Sequence, residues 1–127
     1  MIRRQLNPWK DERGTTAIEF ALVSPLFVIL TVGAVFLCLA IFTALSLRFA
    51  VKDGARCASV RTTQCSDTAT TIAYTQSRYK GPGTMPNFTY DPAAACGRSV
   101  SGSINYVIYL GVKEITVPLT ATACFPA

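Results

Sequence analysis

The chain has 127 residues, half of them hydrophobic, with a net charge of +5 and no histidine. That length supports one modest domain, and without histidine there is no His-dependent triad, dyad or metal site. The basic residues are scattered and no aromatic platform or zinc signature accompanies them, so nucleic acid is not an expected partner.

Residues 1–14 are polar and charged, with Asn7-Pro8 as a turn signal, and are too short to form a core. From Phe20 to Leu47 there is no charged side chain, a run of 28 residues against the roughly 20 that a membrane-spanning helix needs. As a helix the run is about 42 Å long at ~1.5 Å per residue. It can cross a ~30 Å hydrocarbon core and project beyond it, or lie tilted within it. Too little chain remains to bury such a helix in a soluble core. Thr16-Ala17-Ile18-Glu19 fits the capping-box pattern, which predicts a helix start at Thr15 or Thr16 and puts Glu19 near the positive end of the helix dipole. Pro25 removes a backbone hydrogen bond inside the run and predicts a kink near Leu22–Pro25.

Beyond Leu47 the apolar positions Val51, Ala55 and Ala58 keep a helical spacing among basic residues, so the helix is expected to continue as an amphipathic stalk to about Arg61. Gly54 weakens that stalk by about 1 kcal/mol relative to alanine. Ser66 or Asp67 can cap a second helix from about Thr68 to Tyr79, which Gly81-Pro82-Gly83 ends. The pattern then changes period. "NFTYD" is a short strand candidate; its Asn87 also begins a glycosylation sequon and is read as a loop residue. "SVSGSINYVIYLG" puts Ile104, Tyr106, Ile108 and Leu110 on one face. "KEITVPLTATACF" does the same with Ile115, Val117, Leu119, Ala121 and Ala123. Gly111-Val112 is the expected tight turn between them, and Pro118 marks an edge strand or a bulge. The fold class is α+β: a long transmembrane helix with its stalk, a second short helix and a small antiparallel sheet of about three strands.

Cys38 lies within the apolar run, where a small buried hydrophobe is expected. Cys57, Cys65, Cys96 and Cys124 all follow it. Four cysteines in a short segment beyond a membrane span point to an oxidising compartment and two disulfides. Zinc is disfavoured because there is no CxxC pair and no histidine. The cysteines therefore predict an exported C-terminus and a cytoplasmic N-terminus. The basic residues do not orient the chain, because Arg3, Arg4, Lys10 and Arg13 before the run match Arg48, Lys52, Arg56 and Arg61 after it. Four cysteines allow three pairings. The expected one joins Cys96 to Cys124 across the hairpin, leaving Cys57 with Cys65.

No enzyme emerges. The seven acidic residues are separated, and no carboxylate pair suited to acid–base work is visible. Asp53, Asp67, Asp91 and Glu114 read as surface groups. No cofactor and no metal site is expected.

"ERGTTAIEFALVSPLF" resembles the TadE-like family of type IV pilin-like proteins in tight-adherence systems, and "AVKDGARCASVRT" is similar to that family's helix beyond the membrane. The resemblance is specific over roughly residues 12–60. It implies that a prepilin peptidase cuts after Gly14, that Thr15 becomes the new N-terminus, and that Glu19 is the family's glutamate at the fifth mature position. It further implies a minor pilin or pseudopilin, since main pilins of such systems are shorter and mostly one helix. The implied layout is a cytoplasmic leader at 1–14, a transmembrane helix and stalk at 15–61, and an exported domain at 62–127. The implied location is the bacterial cytoplasmic membrane or the pilus, and the implied partners are the peptidase, other pilin subunits, the Tad membrane platform and membrane lipid. Thr15 and Glu19 would set subunit register. The alternative is an uncleaved single-pass anchor carrying an exported, disulfide-bonded binding domain.

Overall fold

A computed structural model describes residues 13–109 and 111–126. The elements in chain order are α1 (Arg13–Val60), α2 (Thr68–Arg78), β1 (Asn87–Ala94), β2 (Gly97–Tyr109) and β3 (Glu114–Phe125). The strands form one antiparallel sheet in the order β1-β2-β3. The fold is thus α+β, with a long apolar helix, a short second helix and a three-stranded sheet. Most of the leader, including Asn7-Pro8, and the expected strand residue Leu110 lie outside the described residues. The chain divides into two compact units, one ending at Val35 and one running from Phe36 onward.

In the first unit α1 already includes Arg13, so Thr16 lies inside the helix and not at its N-cap. An N-cap residue must leave helical dihedrals, and the chain is helical on both sides of Thr16. Pro25 also lies within the helical run. The side chains of this part are open: Phe20 and Leu22 are each 74% exposed and Phe27 is 65% exposed. The Thr31 hydroxyl donates to the carbonyls of Phe27 (3.0 Å) and Val28 (2.9 Å). Backbone bonding of this kind lets a hydroxyl sit in an apolar environment.

In the second unit α1 changes character. Thr43, Leu47, Ala50, Val51, Ala55 and Ala58 are buried at helical spacing. Phe88 of β1, Val100 and Ile104 of β2, Ala121 of β3 and Tyr79 pack in the same core. The β2 alternation explains its inward face: Val100, Gly102 and Ile104 are buried while Ser103 and Asn105 are exposed. A Cβ at Gly102 would stand 2.9 Å from Leu47 Cδ1 and 2.8 Å from Phe88 Cε1, so only glycine lets sheet and helix approach this closely. Burial of Thr43 is possible because its hydroxyl donates to the Leu39 carbonyl at 2.8 Å.

Asp67 is the N-cap of α2: it accepts from the Thr70 amide at 2.8 Å, and the Thr70 hydroxyl accepts from the Asp67 amide at 3.2 Å. The bond from the Thr70 amide, and after it the one the Thr70 hydroxyl donates to Asp67 Oδ1 at 2.9 Å, hold the Asp67 carboxyl below its ordinary range. The buried Thr71 and Thr75 each donate to the carbonyl four residues earlier, at 2.8 Å. Tyr79, expected inside the helix, is its C-cap. Asp53 is not an isolated surface group. It pairs with Arg78 Nε at 3.0 Å and accepts from the Tyr74 hydroxyl at 3.0 Å. That hydroxyl accepts in turn from Arg78 at 2.8 Å, and the guanidinium lies 4.9 Å from the Tyr74 ring centroid. An exposed pair alone contributes little; the shared hydroxyl fixes the α2 face against the stalk.

β1 runs from Asn87 to Ala94, longer than expected, and Asn87 is a strand residue, not a loop residue. Its register shifts between Asp91 and Ala94, around Pro92, which cannot donate to the ladder. Pro118 stands on the edge strand β3, opposite Asn105. The last β2–β3 pair is Tyr109 with Glu114, and Lys113 lies outside the strands with Gly111 and Val112, so Gly111-Val112 is not a two-residue turn. Gly111 adopts φ +77° in that connection, a conformation glycine reaches without strain.

Candidate functional site

Gly14, Thr15 and Glu19 all lie on α1 and are exposed. Thr15 and Glu19 are four residues apart, so their side chains share one helix face about one turn apart. Gly14 has no structural reason to be glycine among the described residues. A Cβ there would meet nothing within 4 Å, and its φ is not positive. Glycine inside a helix costs about 1 kcal/mol relative to alanine, and here no close packing offsets that cost. The sequence has no lysine or arginine between Arg13 and Arg48, so no basic residue stands within one helical turn of Glu19.

Beyond this segment, α1 is one helix long and apolar enough to cross a membrane, and its apolar window is almost wholly unburied by protein. Cys38 is exposed on it and not buried as expected. Pro25, six residues after Glu19, leaves the Ala21 carbonyl without its usual helical donor.

The remaining cysteines are bonded in two pairs. Cys57, near the end of α1, is joined to Cys65 in the following turn, with Cα atoms 5.9 Å apart. Both are 2% exposed and pack with Ala58, Tyr74 and Tyr90. Cys96, in the β1–β2 turn, is joined to Cys124 of β3, with Cα atoms 6.2 Å apart. Arg98 donates to the Ala58 carbonyl and ties this end of the sheet to the stalk, while the Lys80 amide donates to Ser46 Oγ at 2.8 Å. The C-terminal region is therefore a disulfide-bonded domain closed around the second half of α1.

Sequence reading missed the Asp53–Tyr74–Arg78 network and the contacts at Gly54 and Gly102. Each brings together residues far apart in the chain, with no motif linking them. The one available signal was glycine in a helix and in a strand, where close backbone approach is a known cause.

Among the described residues no cluster of three or more His, Cys, Asp or Glu could hold a metal. Neither the curated proteins nor the solved structures contain a match to this chain. A family model described as TadE-like protein matches residues 14–56, about a third of the 127 residues. The match begins on Gly14 and takes in Thr15, Glu19, Pro25 and the buried stripe through Ala55. Over residues 14–56, the chain is therefore similar to TadE-like proteins.

Proposed function

We propose that this protein is a minor pilin or pseudopilin of a tight-adherence pilus, cut by a prepilin peptidase between Gly14 and Thr15. It would be inserted in the bacterial cytoplasmic membrane, with its disulfide-bonded domain exported, and would act with other pilin subunits and the Tad membrane platform in surface attachment. The observation that carries this reading is Gly14, a helical glycine with no packing or dihedral reason, standing where the family match begins. Cutting there creates an ammonium at Thr15, one helical turn from Glu19. A carboxylate near lipid is costly unless paired. In a filament, Glu19 of one subunit meets the Thr15 ammonium of its neighbour, and the pair sets register as the apolar helices leave lipid and bundle.

Glu19→Ala tests the register role. The variant should still be cut at Thr15 but should fail to enter pili, read as its loss from sheared filament fractions. Normal incorporation would contradict the role assigned to Glu19. The competing reading, an uncleaved anchor for a binding domain, predicts a membrane-bound chain that keeps its leader.

A further inference from the structure

The inward face of β2 is covered as far as Ile104 and then opens. Tyr106 and Ile108 continue that face but are only half-buried. Their partners on β3, Val117 and Ile115, are 38% and 42% exposed, and Tyr109 and Val112 are more exposed still. A contiguous apolar end of this kind marks an interaction surface.

The helix beside it indicates what covers that end. Leu39 of α1 borders the same hollow as Ile104, Tyr106, Val107 and Tyr109. Leu39 belongs to the uncharged run. A hydrocarbon core about 30 Å thick takes roughly 20 helical residues, and counted from Phe20 that length ends at Leu39. The open flank of the hairpin is therefore beside the residue where α1 leaves the core. Tyrosine is enriched at this boundary, where its ring meets acyl chains and its hydroxyl meets water. Lysine can reach from there toward phosphate while its stem stays on apolar surface, and Lys113 is in the exposed connection.

We propose that the distal end of the β2–β3 hairpin is a second membrane contact. Tyr106, Tyr109, Val112, Ile115 and Val117 rest in the headgroup–acyl boundary of the leaflet that α1 exits, with Lys113 among the lipid phosphates. The opposite end of the hairpin, at Cys96 and Cys124, stays in water. The domain is thereby held to the membrane surface before assembly, and removing it from lipid uncovers this face. The proposal rests on α1 spanning the bilayer.

The test uses the full chain in phosphatidylethanolamine–phosphatidylglycerol vesicles, with its only tryptophan, Trp9, replaced by Phe. Three separate variants of that chain then carry one tryptophan each: Val112→Trp, Leu30→Trp or Ala95→Trp. The V112W variant is expected to show blue-shifted emission and strong quenching by lipid spin-labelled near the headgroup. Emission from L30W should be quenched by label near the chain ends, and emission from A95W only by aqueous iodide. If V112W behaves like A95W while the L30W indole is buried in lipid, the hairpin contact is wrong and the spanning helix stands. If L30W is also open to iodide, the spanning helix fails and the proposal fails with it. A V112W emission that is blue-shifted, unquenched by lipid label and exposed on dilution of protein in lipid would assign the face to a second copy instead and overturn the membrane contact.

Discussion

Gly54 of α1 abuts Thr75 of α2, with the Thr75 Cβ 3.1 Å from where a Cβ at position 54 would stand and the Thr75 hydroxyl nearer still. Thr75 is fully buried, and its hydroxyl is held by the Thr71 carbonyl at 2.8 Å. The side chain therefore has little freedom to yield. Gly54→Ala gains about 1 kcal/mol of helix propensity, against roughly 1–3 kcal/mol for overpacking a filled site. The net expectation is a loss of stability in urea unfolding of the detergent-solubilised chain. Adding Thr75→Ala should recover part of it, because the two changes are coupled through one contact. A Gly54→Ala variant as stable as the parent would contradict the close packing of α1 and α2.

Tyr79 is 6% exposed, and its hydroxyl has no hydrogen-bond partner among the described residues. An unsatisfied buried hydroxyl costs about 1–3 kcal/mol, so Tyr79→Phe is expected to raise stability at pH 7. Burial also pushes the Tyr79 phenol above its ordinary value of 10.0. The folded chain then keeps a proton that the unfolded chain loses. The associated stability is complete below pH 10.0 and is lost as pH rises through the folded value. Unfolding curves at increasing alkaline pH should show a smaller decline for Tyr79→Phe than for the parent. Parallel declines would contradict the burial of that phenol.

The two disulfides differ in shelter. Cys57 and Cys65 are both 2% exposed, whereas Cys96 is open to solvent. Thiol–disulfide exchange requires access of the attacking thiolate to a sulfur. Mild dithiothreitol under native conditions should therefore reduce Cys96–Cys124 first, read by differential alkylation and peptide mass mapping. Earlier alkylation of Cys57 and Cys65 would contradict the packing around them.

The stalk stripe and the second helix were legible in sequence because both are local patterns. Val51, Ala55 and Ala58 share a face by spacing alone, and Asp67 announces a cap by its place before a helical segment. Leu47 and Thr43 were not legible as core. They lie in an uncharged run whose length already suggested lipid, and a one-dimensional pattern cannot divide that run between bilayer and protein. Gly54 looked like a weakness until Thr75 stood against it. Gly102 needed Leu47, far away in the chain, to explain it. Cys38 was misread for a related reason, since an apolar environment in sequence does not say whether protein or lipid provides it. The capping box at Thr16 matched a motif, but the helix continues through it from Arg13.

Within the candidate segment, sequence supplied the residues and structure supplied the absence of a competing explanation. Gly14 is exposed, helical and unpacked, which supports the processing role proposed for it. The direct measurement is the N-terminal sequence and intact mass of the chain recovered from membranes of cells carrying an active prepilin peptidase. The expected result is a mature chain that begins at Thr15, and a full-length chain when the peptidase is inactive. A chain that begins at Met1 in both cells would contradict processing at Gly14 and favour an uncleaved anchor.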